Sequence, residues 1–385
     1  MFCYSFLRPE GLMEIMILLK IEPCIFTTGE AIAVLYADYF RTMSNDPRSG
    51  AGKHAEDMLR RHAQSMDAQQ LSRDVMSGNR TALAQAITLT ESLREDHIRT
   101  AAEIIRTCLP QSGKSLRIGI TGVPGVGKST FIDVFGMFLV GLGKKVAVLA
   151  IDPTSPISKG SILGDKTRMD QLAASEHAFI RPSPSSESLG GVARKTREAI
   201  ILCEAAGYDI ILVETVGVGQ SETAVHNMTD FFLLLMLAGA GDQLQGIKRG
   251  IMEMCDAMII TKADGDNLKT ARRAKAEYLG ALHLFPVKES GWTPKVEITS
   301  SMDKTGLKET WELISQHEDW MKSRNLFDAN RHQQDIHWFH ETIRENLISR
   351  FYTDPNIIQK MKTAEEEIRS GKVTPFEAAG KVINY

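Results

Sequence analysis

The stretch GITGVPGVGKST, residues 119–130, decides the fold. Gly122, Gly127, Lys128 and Ser129 fill the fixed positions of GxxxxGK[ST], the pattern of a phosphate-binding loop set between a strand and a helix. Glycines let backbone N–H groups turn inward around phosphate oxygens, and the helix that follows adds the positive end of its dipole. Gly122, Val123, Pro124, Gly125, Val126 and Gly127 are expected to form that cradle. Lys128 then reaches the β- and γ-phosphates, the Ser129 hydroxyl ligates Mg²⁺, and Thr130 completes the nucleotide-binding stretch. The surroundings fit the motif, because the apolar run LRIGIT precedes the loop and Phe131, Phe135, Phe138 and Leu142 line one side of the helix after it.

Outward from this loop, the runs KVAVLAID, AFIRP, YDIILVET, DFFLLLML, DAMIITKAD and VEITS alternate with helical segments such as 129–142 and 267–284. Near-continuous apolar strands imply a parallel sheet covered on both faces, since half-exposed strands would alternate in polarity. The expected class is α/β, a doubly wound, mostly parallel sheet of the P-loop NTPase type. Before it, Leu83, Ala86, Ile87 and Thr90, then Ile98, Ala101, Ile104, Ile105 and Cys108, recur at helical steps. After about 306 the chain turns wholly helical. The expected division is 43–112 as an N-terminal helical segment, 113–320 as the nucleotide domain and 321–385 as a C-terminal helical extension. Residues 1–42 are apolar but broken by Glu14, Lys20, Glu22 and Glu30, and read as an extension ahead of a start at Met43.

The whole chain has 385 residues, 43% of them hydrophobic, with 45 Lys plus Arg against 48 Asp plus Glu. The net charge of −3 provides no basic field to gather nucleic acid or anionic lipid. Five cysteines, scattered and odd in number, form neither a disulfide framework nor a Cys-rich zinc site, which fits a reducing cytoplasm. No apolar run reaches the roughly 18 residues of a membrane span. The tract GIMEMCDAM reads as core helix, and RPSPSSES (181–188) as a loop.

Two further groups define the nucleotide. TKAD, Thr261, Lys262, Ala263 and Asp264, ends the sixth apolar run, where guanine-binding proteins carry NKxD; the Asp accepts from guanine N1–H and the exocyclic amine. Thr261 replaces the Asn that normally braces the loop. One strand later, Ser300, Ser301 and Met302 stand where a loop behind the base is expected. Asp152 and Glu214 sit at strand ends on the phosphate side, within reach of Mg²⁺ directly or through water. Gly217 follows Glu214 by three and is placed to respond to the γ-phosphate; Gln220 is the candidate for orienting water.

The series GVPGVGKST, AIDPTSPISKGSILGDKTRM, FIRPSPSSESLGGVARKTREAI, GYDIILVETVGVGQSE, GAGDQLQGIKRGIME and TKADGDN resembles the MeaB/ArgK family of P-loop GTPases, bacterial relatives of the human MMAA protein. The resemblance covers about residues 55–345. It implies a GTP-hydrolysing chaperone that assists and protects an adenosylcobalamin-dependent acyl-CoA mutase, typically methylmalonyl-CoA mutase, and is stimulated by it. It implies Mg²⁺ with GTP or GDP as cofactors, an acidic metal environment of Asp152, Asp165 and Glu214 beside Ser129, and a homodimer paired through the C-terminal extension. Catalysis would rest on Lys128 and Glu214 with the charged pair Asp242 and Lys248 of a third switch segment, in which Gln243 stands where Glu is common. Partner docking would carry Lys248 toward the γ-phosphate.

Other readings stay open: a kinase linked to amino-acid transport, a metallochaperone GTPase, which would normally carry His- or Cys-rich tracts, or a binding module without turnover. His332, His337 and His340 with Glu341 read as solvated helix residues rather than a zinc site. The stripe Ile336, Phe339, Ile343 and Leu347 suits either a dimer seam or packing on the chain's own core.

Overall fold

The computed structural model describes residues 67–383, apart from 93, 152–168, 183–188, 216–220 and 240–248. Seven strands form one sheet: β1 (Leu116–Gly122), β2 (Val146–Ile151), β3 (Ala178–Arg181), β4 (Ile210–Thr215), β5 (Phe231–Leu237), β6 (Ala257–Thr261) and β7 (Lys295–Ile298). Their spatial order is β3-β2-β4-β1-β5-β6-β7, and every pairing is parallel. β1, β2, β4 and β6 are buried along their whole length, which is why their sequences do not alternate.

Each crossover uses a helix. In chain order these are α1 (Ala68–Met76), α2 (Arg80–Glu91) and α3 (Glu95–Cys108) before the sheet, then α4 (Lys128–Gly141), α5 (Asp170–Ala174), α6 (Leu189–Ala205), α7 (Ser221–His226), α8 (Arg249–Met254) and α9 (Asn267–Leu282). The C-terminal set is α10 (Leu307–Ser323), α11 (Leu326–Thr353), α12 (Pro355–Arg369) and α13 (Pro375–Ile383). Helix starts follow local chemistry: the Asp67 carboxylate accepts from Gln69 N, Asn79 from Thr81 N and Ala82 N, and Asp354 from Asn356 N with Pro355 in the first helical turn. GIMEMCDAM divides, with α8 ending at Met254 and β6 opening at Ala257.

The chain leaves the central strand β1 first toward β2 and β3; β4 then fills the place beside β1, and β5, β6 and β7 extend the other way. Such a reversal opens a crevice at the carboxyl ends of the strands, where open α/β sheets hold their ligands. Close helix contact at β1 needs a missing side chain. A Cβ on Gly119 would stand 2.8 Å from both Phe232 Cδ2 and Val225 Cγ1, so α7 can lie directly on the strand.

Helices α1–α3 pack on one another, and α2 and α3 meet α6, through Leu83, Ala86, Ile87, Ala101, Ile104 and Cys108, all buried. Ile98 departs from the expected stripe and is exposed, one turn from the start of α3. In α4, Phe131 and Phe135 are fully buried and stacked at 5.2 Å, but Phe138, still within the helix, is half-buried, and Leu142, just past its end at Gly141, is exposed.

Beyond the sheet, α12 and α13 form a hairpin around a separate small core of Ile357, Ala364, Ala378 and Val382. Arg331, Gln334 and Trp338 are the buried residues of α11. The stripe on its other side, Ile336, Phe339, Ile343 and Leu347, is exposed, and the core of the described residues does not take it in. None of the described helices is long and apolar enough to cross a membrane.

Candidate functional site

The phosphate loop links β1 to α4 at the centre of the crevice. Gly125 and Gly127 take φ of +76° and +91°, the left-handed region that glycine enters without steric cost. A Cβ on Gly122 would stand 2.6 Å from the Leu235 carbonyl oxygen of β5, so no other residue fits that turn. Val123 and Val126 anchor the loop in the core, while Pro124 and Gly125 face solvent. Gly127 caps α4, whose first residues are Lys128, Ser129 and Thr130, of which the first two are half-buried and the third exposed.

Lys128 Nζ donates to the Gly122 carbonyl at 2.9 Å, folded over its own loop. Burial pushes this ammonium below its ordinary range, and the carboxylates of Glu214 and Glu222 pull it back upward. Glu214, the next-to-last residue of β4, pairs with Ile120 of β1 and is buried. Its neighbour Thr215 donates to Thr121 Oγ1 at 2.8 Å, tying the two strand ends together. Glu222, in the first turn of α7, is 3% exposed and was given no role by the sequence pattern. Nothing local announces it: a Glu after GQS looks like any surface helix residue until α7 is seen lying on the sheet.

The base-recognition candidates meet the phosphate loop from the β6 side. Thr261 Oγ1 donates to the Val126 carbonyl at 2.8 Å and lies 3.3 Å from that of Met236. The threonine therefore makes a brace of the kind expected of asparagine, across 135 residues of sequence. Lys262, with φ of +57°, extends over the loop so that Nζ donates to the Gly125 carbonyl at 2.9 Å. Asn267 Nδ2 holds the Lys262 carbonyl at 2.5 Å, and the Ala263 amide donates to Thr299 O. Ser300 Oγ donates to Asp264 Oδ2 at 2.8 Å and accepts from Asp303 N at 3.0 Å, fixing the orientation of the carboxylate. Ser300 is buried, Ser301 half-buried and Met302 exposed.

The structure thus brings together the 122–130 loop, Glu214, the 261–264 turn and the 300–302 loop. Asp152, Asp165, Gly217, Gln220, Asp242, Gln243 and Lys248 lie outside the described residues, as do residues 1–42. Among the described donors, the Ser129 hydroxyl and the Glu214 carboxylate are oxygen ligands of the kind a small hard divalent cation takes, so the set fits Mg²⁺. His332 and His340 are exposed and His337 half-buried, and no group of three metal-ligating side chains occurs among the described residues.

A parallel sheet reversing at β1, with a glycine cradle, a lysine and a braced TKAD turn at its carboxyl edge, defines a P-loop GTPase. Comparison with known proteins makes the class specific. The family described as methylmalonyl-CoA mutase-associated GTPase MeaB matches residues 83–356, and the chain belongs to that family. A probable GTPase of Mycobacterium tuberculosis is 47% identical over 313 residues, 81% of this chain and 93% of that protein. The GTPase ArgK of Escherichia coli is 43% identical over 79% of this chain and 92% of its own length. The mitochondrial methylmalonic aciduria type A homolog of mouse is 45% identical over 79% of this chain and 76% of its own. A crystal structure titled LAO/AO transport system kinase superposes with a TM-score of 0.65 at 35% identity, covering 82% of this chain and 96% of that one.

Proposed function

We propose that this GTPase acts as a chaperone of an adenosylcobalamin-dependent acyl-CoA mutase, methylmalonyl-CoA mutase being the leading client, and that it works as a Mg²⁺-dependent, partner-stimulated enzyme in the cytoplasm. What supports this reading is the joining of the base-side turn to the phosphate loop by Thr261 and Lys262, within a family whose description names the mutase. Phosphoryl transfer depends on placement and charge neutralisation more than on covalent participation. Lys128 neutralises phosphate charge after leaving the Gly122 carbonyl, Asp264 reads the guanine edge, and Ser300 keeps that carboxylate turned toward the base. Ser129, Glu214, Asp152 and Asp165 would hold Mg²⁺, which supplies charge neutralisation across the phosphates when bound. Asp242, Lys248 and Gly217 would complete the constellation when the mutase docks. The division into a helical segment 43–112, a nucleotide domain 113–320 and a C-terminal extension 321–385 belongs to the same reading. So does a homodimer, in which the exposed stripe of α11 is the seam.

The test is GTP and ATP hydrolysis with and without a purified adenosylcobalamin mutase. Stimulation confined to GTP is expected. Phosphate transferred instead to an amino-acid-binding protein would overturn the chaperone reading in favour of a transport-linked kinase.

A further inference from the structure

Helix α7 has six residues, and its two ends touch different parts of the molecule. At its start, Ser221 and Glu222 are buried; one turn on, Val225 lies against Gly119 of β1. Glu222 occupies the same face as Val225, three residues toward the phosphate end, and its charge acts on Lys128. At the other end, the four residues Asn227–Asp230 join α7 to β5, and α11 holds this link turn by turn. Trp338 Nε1 donates to the Asn227 carbonyl at 2.8 Å, His337 Nε2 stands 3.2 Å from Asn227 Nδ2, and Gln334 Nε2 donates to the Thr229 carbonyl at 2.7 Å. Arg331 grips both Asp230 oxygens at 2.7 and 2.6 Å and also reaches the Gly113 and Ser115 carbonyls. All three buried residues of this 28-residue helix thus bond to one short connection.

The buried side-chain polar atoms without a hydrogen-bond partner among the described residues are Ser221 Oγ, Gln334 Oε1 and Arg197 Nη1. Ser221 opens α7, Gln334 belongs to the grip, and Arg197 of α6 pairs with Asp335 and stands over the Trp338 ring at 6.0 Å. Buried polar atoms are nearly always paired, so the Arg197 donor and the Gln334 acceptor left over along α11 mark a contact with another arrangement open to it.

We propose that α11 is a positioning element of the phosphate site, acting through α7: Gln334, His337 and Trp338 fix where the short helix ends, and α7 in turn seats the buried Glu222 at the phosphate end of its contact with β1. A helix this short moves as a unit, so displacement at residue 227 is felt at residue 222. The opposite face of α11 carries the seam assigned above to a second copy, which places subunit pairing and turnover on one helix. The inference rests on the GTPase reading of the site, and failure of the wild-type chain to cleave GTP would defeat that reading rather than this one.

The experiment uses the full chain. Trp338→Phe keeps an aromatic ring and removes the N–H; Gln334→Leu removes the donor and the unpaired acceptor together. Both are expected to lower kcat for GTP by about three- to tenfold with KM changed less than about twofold, within the range of coupling through a shared element. Hydrogen exchange of the wild-type chain should show backbone protection over residues 331–338 changing between GDP and a non-hydrolysable GTP analogue. Unchanged kcat in both variants, or an exchange response that stops at residue 226, would overturn the proposal; should neither variant fold, the wild-type exchange result decides alone.

Discussion

The two ends of the sheet are built on opposite principles. At the amino ends of the strands, the Arg117 guanidinium makes two bonds to the Glu204 carboxylate at 2.8 and 3.0 Å, Ser115 Oγ and Gly113 N complete that carboxylate's shell, and Arg331 closes on Asp230. These charges are almost wholly buried and have fixed partners. At the carboxyl ends the polar groups are provisional: Lys128 rests on a carbonyl of its own loop, Lys262 on another, and glycines replace side chains. Burial would raise the Glu204 carboxyl, yet Arg117, Ser115 and the Gly113 amide bring it below its ordinary range. Burial also dominates at Lys128, where it prevails over the neighbouring carboxylates. One end is held by fixed ion pairs; the other is left to be satisfied by a ligand.

The sharpest way to break this contrast is to damage each end and read both stability and binding. Glu204→Gln strands the Arg117 charge in a buried site, and a loss of about 3–5 kcal/mol in unfolding free energy is expected by denaturant titration, with GTP affinity of the folded fraction unchanged. Lys128→Ala should do the reverse, lowering GTP turnover by about a hundredfold while leaving the melting temperature within about 2 °C. Matching losses of stability in the two variants would erase the distinction.

A smaller effect sharpens the picture at the phosphate end. Thr261→Val keeps the shape and removes the donor to Val126 O, and nucleotide binding measured by calorimetry should weaken by about 1 kcal/mol, near fivefold. Unchanged affinity would show that the brace contributes nothing. The smallest effect is a pH dependence between the two ends. Burial pushes His317, packed edge-on against Phe231 and Trp292, and His226 below the ordinary value of 6.5, despite the attraction of Asp256. The unfolded chain therefore takes up these protons first as pH falls. Stability from the neutral rings is complete above about pH 6.5 and declines below it. Melting temperatures across pH 5–8 should fall on the acid side, and less so in His317→Phe.

Much of the fold was legible because parallel strands buried on both faces leave unbroken apolar runs, and because the phosphate loop is contiguous in sequence. The fade of the α4 stripe at Phe138 and Leu142 was not, since periodicity gives a face its direction but not how far along the helix other elements cover it. At the site, residue types announced the cradle and the TKAD turn, but not what Thr261 touches. Glu222 escaped because its burial comes from α7 lying on Gly119, and the hold of α11 on Asn227–Asp230 joins residues about a hundred positions apart. Contacts of that range leave no periodic trace in a sequence.

The most direct measurement is calorimetric titration of the full chain with GTP and with ATP in the presence of Mg²⁺. A saturable heat for GTP and a far weaker one for ATP is expected from a lysine-lined cradle coupled to an oriented Asp264 carboxylate. No heat for GTP, or equal affinity for the two nucleotides, would contradict it.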